Sequence, residues 1–585
     1  MIKNISTICS FCNTGCGMFV RLNGEEAVGI LPNTRHPVNE GRLCKRGWNR
    51  YQNLRSENRL SHPLVRKGSK LEEVGWDEAL QISKEKISYI LSRYGPQAIG
   101  VVGSPWLTNE DNYRVSLFCR QVLKSNNLDG SYRFSGAAAL TALNETWSGA
   151  LGSLASIQSL RESPAILVLG RESLRDFSPV GARMIQAYQQ GSKLILADPV
   201  CLRAEHFYNT FLPFPEEQLA QILKEKKDVA EQIPRLLAQP GSAIVFIADQ
   251  IKTASSLLSL LSFMSQDQAD PHPIPMMIPL SRSPNFRGAW DMGIRPNNGG
   301  LTLLEMLDLS NVIKGLLVFG DDLLTHLPSF SLMEKLKKLD FLLVADRFLT
   351  DTVQIAHGAF PIPLLAESTG TLTNCEGRVQ KLRPVLNTGG ESRPLSYLLS
   401  SLTRKLGSSL PAHSDKEMRK EISLVIPQYQ NIHSESELDS PQGIVLSTLK
   451  HPVIPSIPFE TREGPQAPGK YHLFIPNTLY AWSRNQMILE SPLLRIEYPE
   501  DRMALRMNRQ DVRELRIRPG EKIKVCSDHG EAQLAVEIDE SLPSRTLVLP
   551  MHFSTVIENL AGKRKFDHIA NYSYCPDLEV TLKKV

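Results

Sequence analysis

The sequence predicts a multidomain α/β chain: a small cysteine-rich N-terminal domain, two doubly wound α/β domains and a C-terminal β-barrel. Three observations carry this expectation. Four of the nine cysteines fall within the first 44 of 585 residues. From about residue 60 to 445, short apolar runs alternate with helical stretches, which is the pattern of mainly parallel sheets covered by helices on both faces. Past a proline-rich break, apolar and alternating runs lie between Gly and Pro turns, as in a β-rich domain.

The first element is "TICSFCNTGCGMF", which holds Cys9, Cys12 and Cys16, followed by Cys44 in "GRLCKRG". A tight triplet lets one loop supply three corners of a metal centre, and Gly15 and Gly17 let the backbone turn closely around it. Cys44 then closes the site from a later loop. Zinc and an iron–sulfur cluster both suit four thiolates. Structural zinc sites more often show two C-x2-C pairs, so a triplet plus one distant cysteine favours a [4Fe-4S] cluster. Residues 1–58 are assigned to this domain.

In the α/β region, Leu80, Ile87, Ile90, Leu91 and Tyr94 recur at helical spacing, and "GPQAIGVVGS" follows as a buried strand. Further strand-like runs lie at 165–170, 193–199, 243–249, 315–322 and 340–346. They are divided between one domain of residues 59–135 plus 330–448 and a second of 136–329. Residues 449–469, with five prolines in "HPVIPSIPFETREGPQAPG", read as a linker. Residues 470–585 form the barrel.

Composition bounds the function. The formal net charge is +4, too small to argue for nucleic acid or an anionic membrane. There is no run of eighteen apolar residues and no export signal, so the expected location is the cytoplasm, without direct membrane insertion. Cys119, Cys201, Cys375, Cys526 and Cys575 are widely spaced and read as buried apolar filler. No Walker, zincin or nucleophile-elbow motif is present. His357, His552 and His568 read as surface or structural histidines.

The cysteine motif resembles that of the molybdopterin oxidoreductase family. This family includes formate dehydrogenase catalytic subunits, nitrate reductases and the large iron–sulfur subunit of respiratory complex I. The likeness runs on through "NFRGAWDMGIRPN" (285–297) and "LDFLLVADRFLTDT", which holds Asp346 and Thr350. It continues in "HGAFPIPLLAESTGTLTNCEGRVQ", with Glu367, Gly370, Thr371, Asn374, Glu376, Gly377 and Arg378, and in "MNRQDVRELRIRPGEKIKV", with Asn508, Asp511, Leu515 and Gly520. "LYAWSRNQMILESPLLR" (479–495) is also family-like. The resemblance implies a double-psi-type barrel at the C-terminus and a [4Fe-4S] cluster on Cys9, Cys12, Cys16 and Cys44. It implies cofactor contacts at Arg46, Glu376, Arg378 and Asn559. The cofactor of catalytic members is a molybdenum or tungsten bis-molybdopterin guanine dinucleotide.

Several positions depart from the catalytic pattern. "NNLDGSYRFSGAAAL" (126–140) places Ser135 where a cysteine or selenocysteine ligates the metal, and Gly136 where a histidine works beside it. Val200 stands where an arginine is usual. Glu216 and Glu217 fall in the nucleotide loop, where they oppose a pyrophosphate. The sequence therefore reads as an iron–sulfur electron-transfer subunit with a degenerate or empty pterin site and no assigned catalytic residue. The expected partners are other redox subunits: a flavoprotein like the NADH-binding subunit of complex I, ferredoxin-like proteins or other iron–sulfur proteins. Two alternatives stay open, a catalytic bis-pterin enzyme such as formate dehydrogenase and a structural zinc-binding assembly protein.

Overall fold

The computed structural model describes residues 1–585 except 148, 150, 153–154, 171, 199–206, 213–226, 266–273, 309–311, 327–329, 411–413, 449–468, 476–485, 499–502, 551–553, 563–564, 571 and 575–576. The described chain forms two compact units. One comprises 1–134, 281–449 and 484–498; the other comprises 135–280, 450–483 and 499–585. Among the described residues, no helix is long and apolar enough to cross a membrane.

In the first unit, an antiparallel sheet of Ile2–Ile8, Gly17–Asn23 and Glu26–Pro32 opens the chain. Ile8 pairs with Gly17, so residues 9–16 form the loop of the first hairpin. The main sheet has seven strands, in the order Lys70–Glu73, Leu64–Lys67, Gly358–Pro361, Phe341–Asp346, Gly315–Phe319, Ile99–Gly103 and Leu128–Gly130. The last five run parallel. Every residue of Ile99–Gly103, Gly315–Phe319 and Phe341–Asp346 is buried. This explains their unbroken apolar sequence, since a parallel strand is covered on both faces.

Helix Trp76–Tyr94 packs its Leu80, Ile87 and Ile90 inward and ends at Gly95, whose φ of +83° a glycine adopts without strain. Helix Asn109–Leu117 is capped by Thr108, whose side chain accepts from the Asp111 N–H at 3.0 Å. Such a cap is worth about 1 kcal/mol. A small antiparallel sheet of Gly370–Thr373, Arg378–Leu382 and Ile444–Val445 completes this unit.

The second unit holds a parallel five-stranded sheet, in the order Thr210–Leu212, Lys193–Ala197, Ala165–Leu169, Ala243–Ile247 and Met276–Leu280. It also holds a closed six-stranded barrel, in the order Lys470–Phe474, Thr546–Val548, Ala504–Met507, Glu531–Ile538, Lys522–Cys526 and Leu578–Lys584. Leu473, Leu505, Val525, Leu547 and Val580 fill the barrel. Asn508 caps helix Arg509–Glu514, and Asp511 accepts from Ser544 Oγ at 2.6 Å and the Arg545 N–H at 2.8 Å, so these family-like positions brace the barrel.

Two expected boundaries move. Gly315–Phe319 pairs with Ile99–Gly103 and Phe341–Asp346, so it lies in the first unit, not with residues 136–280. The sheet of the second unit is completed instead by Met276–Leu280, a run that the sequence reading passed over. Helices Gln486–Leu489 and Pro492–Glu497 belong to the first unit, although the chain on both sides of them belongs to the unit of the barrel. The expected linker lies almost wholly outside the described residues.

Candidate metal centre

The hairpin loop 9–16 presents Cys9, Cys12 and Cys16, and its two ends are joined where the Cys9 N–H donates to the Cys16 carbonyl at 2.8 Å. The three are buried. Cys44, at the start of the short helix Lys45–Trp48, is partly exposed. Asn39 ties the two loops together. Its amide oxygen accepts from the Gly17 N–H at 2.9 Å, and its amide nitrogen donates to the carbonyls of Gly17 at 3.2 Å and Arg42 at 2.9 Å.

The loop has no room for side chains at its glycines. Gly15 has φ +72°, and a Cβ there would lie 2.1 Å from Gln380 Oε1. A Cβ on Gly17 would meet the His36 ring at 2.1 Å.

Cys9, Cys12 and Cys16 are shifted in the same direction. Burial pushes Cys9 up to about 12, with neighbouring Cys12 and Cys44 adding to the rise. Burial, then Cys9, Cys12, Cys44 and Cys375, pushes Cys16 well above the usual thiol range. Arg46 opposes the rise at Cys12, and Arg50 opposes it at Cys9. Crowded, desolvated thiols of this kind are costly to ionise alone and are suited to a multiply charged iron centre, which takes them as thiolates. Among the described residues no three or more His, Cys, Asp or Glu side chains are set to hold a metal ion, and the four thiols are by their chemistry the donor type that a [4Fe-4S] cluster takes.

Behind the loop stands the hairpin 370–382. Cys375 donates its N–H to the Asn13 carbonyl at 2.8 Å, Asn374 Nδ2 donates to the Thr14 carbonyl at 3.2 Å, and Gln380 Nε2 donates to the Gly15 carbonyl at 2.9 Å. Three consecutive loop carbonyls thus each receive a donor from one turn. Glu376 is buried in that turn and accepts from Arg378 Nε at 2.8 Å, while Arg378 Nη1 donates to the Gln442 carbonyl at 2.5 Å. Glu376 and Arg378, expected at a cofactor, are placed here as part of the brace. Cys375, taken from sequence as filler, is buried beside the loop, and only its place in a family-like turn hinted at this.

Two arginines lie beside the thiols. Arg46 is buried and donates through Nη1 to Tyr498 Oη at 2.8 Å. Beside it, Lys45 Nζ lies 2.7 Å from Glu497 and 4.3 Å from the Tyr498 ring centre. Arg50 donates to Ser10 Oγ at 3.2 and 3.0 Å, and burial lowers it to about 10. Sequence reasoning passed over Arg50 and Tyr498, because neither lies in a recognisable motif.

A small cleft opens beyond the carboxyl ends of Ile99–Gly103, Gly315–Phe319 and Phe341–Asp346, and the strand order reverses between the first two of these. Trp106, Asp322, His326, Asp346 and Arg347 line it. His326 stacks on Trp106 with ring centres 4.4 Å apart, and its Nδ1 lies 2.6 Å from Asp321. Burial, then Asp322 and Asp321, raises Asp346 to about 6 against the opposing pull of Arg347. A pyrophosphate wants converging N–H groups and cations. The cleft carries charges of both signs, with Arg50 and Arg347 set against Asp322 and Asp346.

The remaining expected positions lie elsewhere. Arg133 is buried, with its Nε on Asp129 Oδ2 at 2.5 Å. The Ser135 backbone ends the turn Ser131–Ser135, but its side chain is outside the described residues, as are Val200, Glu216, Glu217 and His552. Asn559 is exposed, and its Nδ2 donates to the Glu531 carbonyl at 2.7 Å. His357 serves as an acceptor for the Leu342 N–H at 2.9 Å.

Comparison with known proteins agrees with this architecture. The profile of the molybdopterin oxidoreductase Fe4S4 domain matches residues 2–56, and that of molybdopterin oxidoreductase matches 59–405. The chain belongs to the molybdopterin oxidoreductase family. Its N-terminal domain is the family's [4Fe-4S] domain, and residues 474–573 match the family's dinucleotide-binding domain. Similar relatives include the alpha subunit of an F420-dependent formate dehydrogenase from Methanocaldococcus jannaschii. It is 27% identical over all of this chain and 99% of its own length. A second such subunit, from Methanococcus maripaludis, is 26% identical over all of this chain and 99% of its own length. Acetylene hydratase from Pelobacter acetylenicus shares the fold, with a TM-score of 0.69 at 16% identity over 99% of this chain and all of that one.

Proposed function

We propose that this chain is an iron–sulfur electron-transfer subunit of a multi-subunit redox complex, with Cys9, Cys12, Cys16 and Cys44 as the cluster ligands and no substrate chemistry at the pterin position. The closed cysteine loop, joined to the Cys44 loop through Asn39, is the observation that carries this reading. When bound, the cluster stores and releases one electron. The chain's own residues do the rest. The loop keeps Cys9, Cys12 and Cys16 close in the chain, their burial excludes water, and Arg46 and Arg50 offset the negative charge of the thiolates once iron is bound.

Ser135 and Gly136 in the catalytic context support a degenerate pterin site. Membership of a larger complex rests on the relatives, which are named as alpha subunits. Their names also carry the competing reading, formate oxidation on a molybdenum or tungsten pterin.

Metal counting separates the two. About four irons per chain without molybdenum or tungsten, and a reducible EPR signal, are expected. Stoichiometric molybdenum or tungsten with formate-dependent reduction of a dye would replace this proposal by the catalytic one. Zinc in place of iron would reject both.

A further inference from the structure

Three carboxylates meet around the cleft of the first unit, and they are not equally held. Asp321 Oδ2 accepts from Ser131 Oγ at 2.5 Å, and its Oδ1 lies 2.6 Å from His326 Nδ1. Asp322 accepts from Thr352 Oγ1 at 2.5 Å, Thr325 Oγ1 at 2.6 Å and the Thr352 N–H at 3.3 Å. Asp346 Oδ1 accepts from the Arg347 N–H at 2.7 Å, but among the described residues its Oδ2 has only Thr350 Oγ1, at 3.5 Å. Hydrogen bonds to a carboxylate favour its charged form. Asp346 has the weakest set, so of the three it is the one that most readily holds a proton.

The charges around it leave that deficit in place. Arg347 Nη1 stays 3.9 Å from Asp346 Oδ1, and Nη2 donates instead to the Trp106 carbonyl at 2.6 Å. Asp321, Asp322 and His326 act on Asp346 from the segment 320–326. Arg59 and Glu367 pair with each other at 2.9 Å, with Arg59 Nε on the Arg347 carbonyl at 3.2 Å. Asp351, in the helix that follows, is exposed. One more cation joins the cleft to the cysteine loop. Arg50 lines the cleft with Asp346, and it also donates to Ser10 Oγ at 3.2 and 3.0 Å. Ser10 follows Cys9 directly. Arg50 is 2% exposed and Asp346 5%, so bulk water screens little of the field between loop and cleft.

We propose that Asp346 takes up a proton from solvent when the cysteine-bound centre takes up an electron. The inference rests on the electron-transfer reading above. The electron comes from the external donor, the proton binds at Asp346 Oδ2, and no bond breaks within the protein. Added negative charge at the thiolates makes the Asp346 carboxylate harder to keep ionised, and the bound proton offsets that charge in return. Burial, then Asp322 and Asp321, raises this carboxyl to about 6, which places its proton exchange near neutral pH. The sign follows. A proton on Asp346 favours the reduced form, so the midpoint potential falls as pH rises through the range in which Asp346 ionises, and it levels off above.

EPR-monitored redox titrations of the purified protein across a range of about pH 5 to 9 test this. The wild-type potential is expected to become more negative with rising pH and then to level. Asp346→Asn, which is uncharged like protonated aspartic acid, is expected to show no slope. Its potential should match wild type at the acid end and lie above it at the alkaline end. A displacement equal at every pH would make Asp346 a structural residue only and overturn the proposal. So would a wild-type potential independent of pH, or a slope that survives in Asp346→Asn. The reduced-minus-oxidised infrared difference spectrum of wild type needs no variant: the C=O stretch of a protonated carboxyl is expected to grow on reduction at neutral pH, and its absence would overturn the proposal as well. Wild-type protein that holds no reducible cluster would overturn the electron-transfer reading itself, and this inference with it.

Discussion

Gln380 and Gly15 are separated by 365 positions in the chain, yet the Gln380 side-chain N–H donates to the Gly15 carbonyl at 2.9 Å. The same glutamine, through its Oε1, occupies the space that a Cβ on Gly15 would need. The family-like turn around residues 374–380 is thus the back wall of the cysteine loop.

Gly15→Ala tests that wall. Gln380 can swing its amide away, but a Cβ would also lie 2.9 Å from Asn374 Cβ, and φ is +72°. Strain of this kind costs on the order of 1–3 kcal/mol. The expected outcome is a lower melting temperature for the first unit and iron well below the wild-type content. A variant with full iron and an unchanged melting curve would show that the loop is not held as tightly as its contacts indicate.

The ligand set is tested by a pair of substitutions. Cys44→Ala removes the partly exposed thiol and is expected to leave the protein without a four-iron cluster. Cys375→Ala removes a buried thiol whose backbone, not its sulfur, binds the Asn13 carbonyl. Its iron content is expected to stay at the wild-type value, with a modest loss of stability of about 1–2 kcal/mol for the cavity. Iron loss from Cys375→Ala equal to that from Cys44→Ala would place Cys375 among the ligands.

How much of this was legible in the sequence depends on the range of each signal. The grouping of Cys9, Cys12 and Cys16 was legible because all three lie in one hairpin loop, where sequence distance and spatial distance agree. The buried strands were legible as apolar runs, but not their sheet. Gly315–Phe319 and Ala243–Ile247 look alike, since burial on both faces erases the alternation that would mark a side. The contacts of Arg378 with Gln442 and of Tyr498 with Arg46 were not legible. Each depends on a segment tens to hundreds of residues from its partner, and hydrogen-bonding residues carry no mark of which partner they meet.

Asp346 gives a pH signature. Its carboxyl ionises near 3.8 ordinarily and is raised to about 6 in the fold, chiefly by burial and then by Asp322 and Asp321. A raised acid binds more protons folded than unfolded between these values, so its contribution to stability falls as pH rises from about 4 to about 6. Above that window, the charged form costs the fold on the order of 2–3 kcal/mol. Asp346→Asn keeps an oxygen for the Arg347 N–H, which Asp346 Oδ1 accepts at 2.7 Å. The variant is expected to be more stable than wild type in urea melts at pH 7.5 and to lose that advantage at pH 4. An advantage that does not change with pH would mean that the carboxylate is not strained by its neighbours.

Arg46 is expected to affect the redox centre without being a ligand. Its guanidinium is buried, bonded to Tyr498 Oη at 2.8 Å, and counters the rise at the Cys12 thiol. Reduction adds a negative charge to the thiolate-bound centre, so a buried cation beside it favours the reduced form. Arg46→Met removes that charge while keeping much of the packing volume, and a unit charge at an effective dielectric near 20 is worth on the order of 1–2 kcal/mol, or roughly 50–100 mV for one electron. The EPR-monitored midpoint potential is expected to move negative by about that amount, with iron content retained. Tyr498→Phe keeps the charge and removes one hydrogen bond, so its potential is expected to stay close to wild type. If the two variants shift alike, the hydrogen bond, not the charge, sets the effect, and Arg46 acts by holding the Cys44 loop in place.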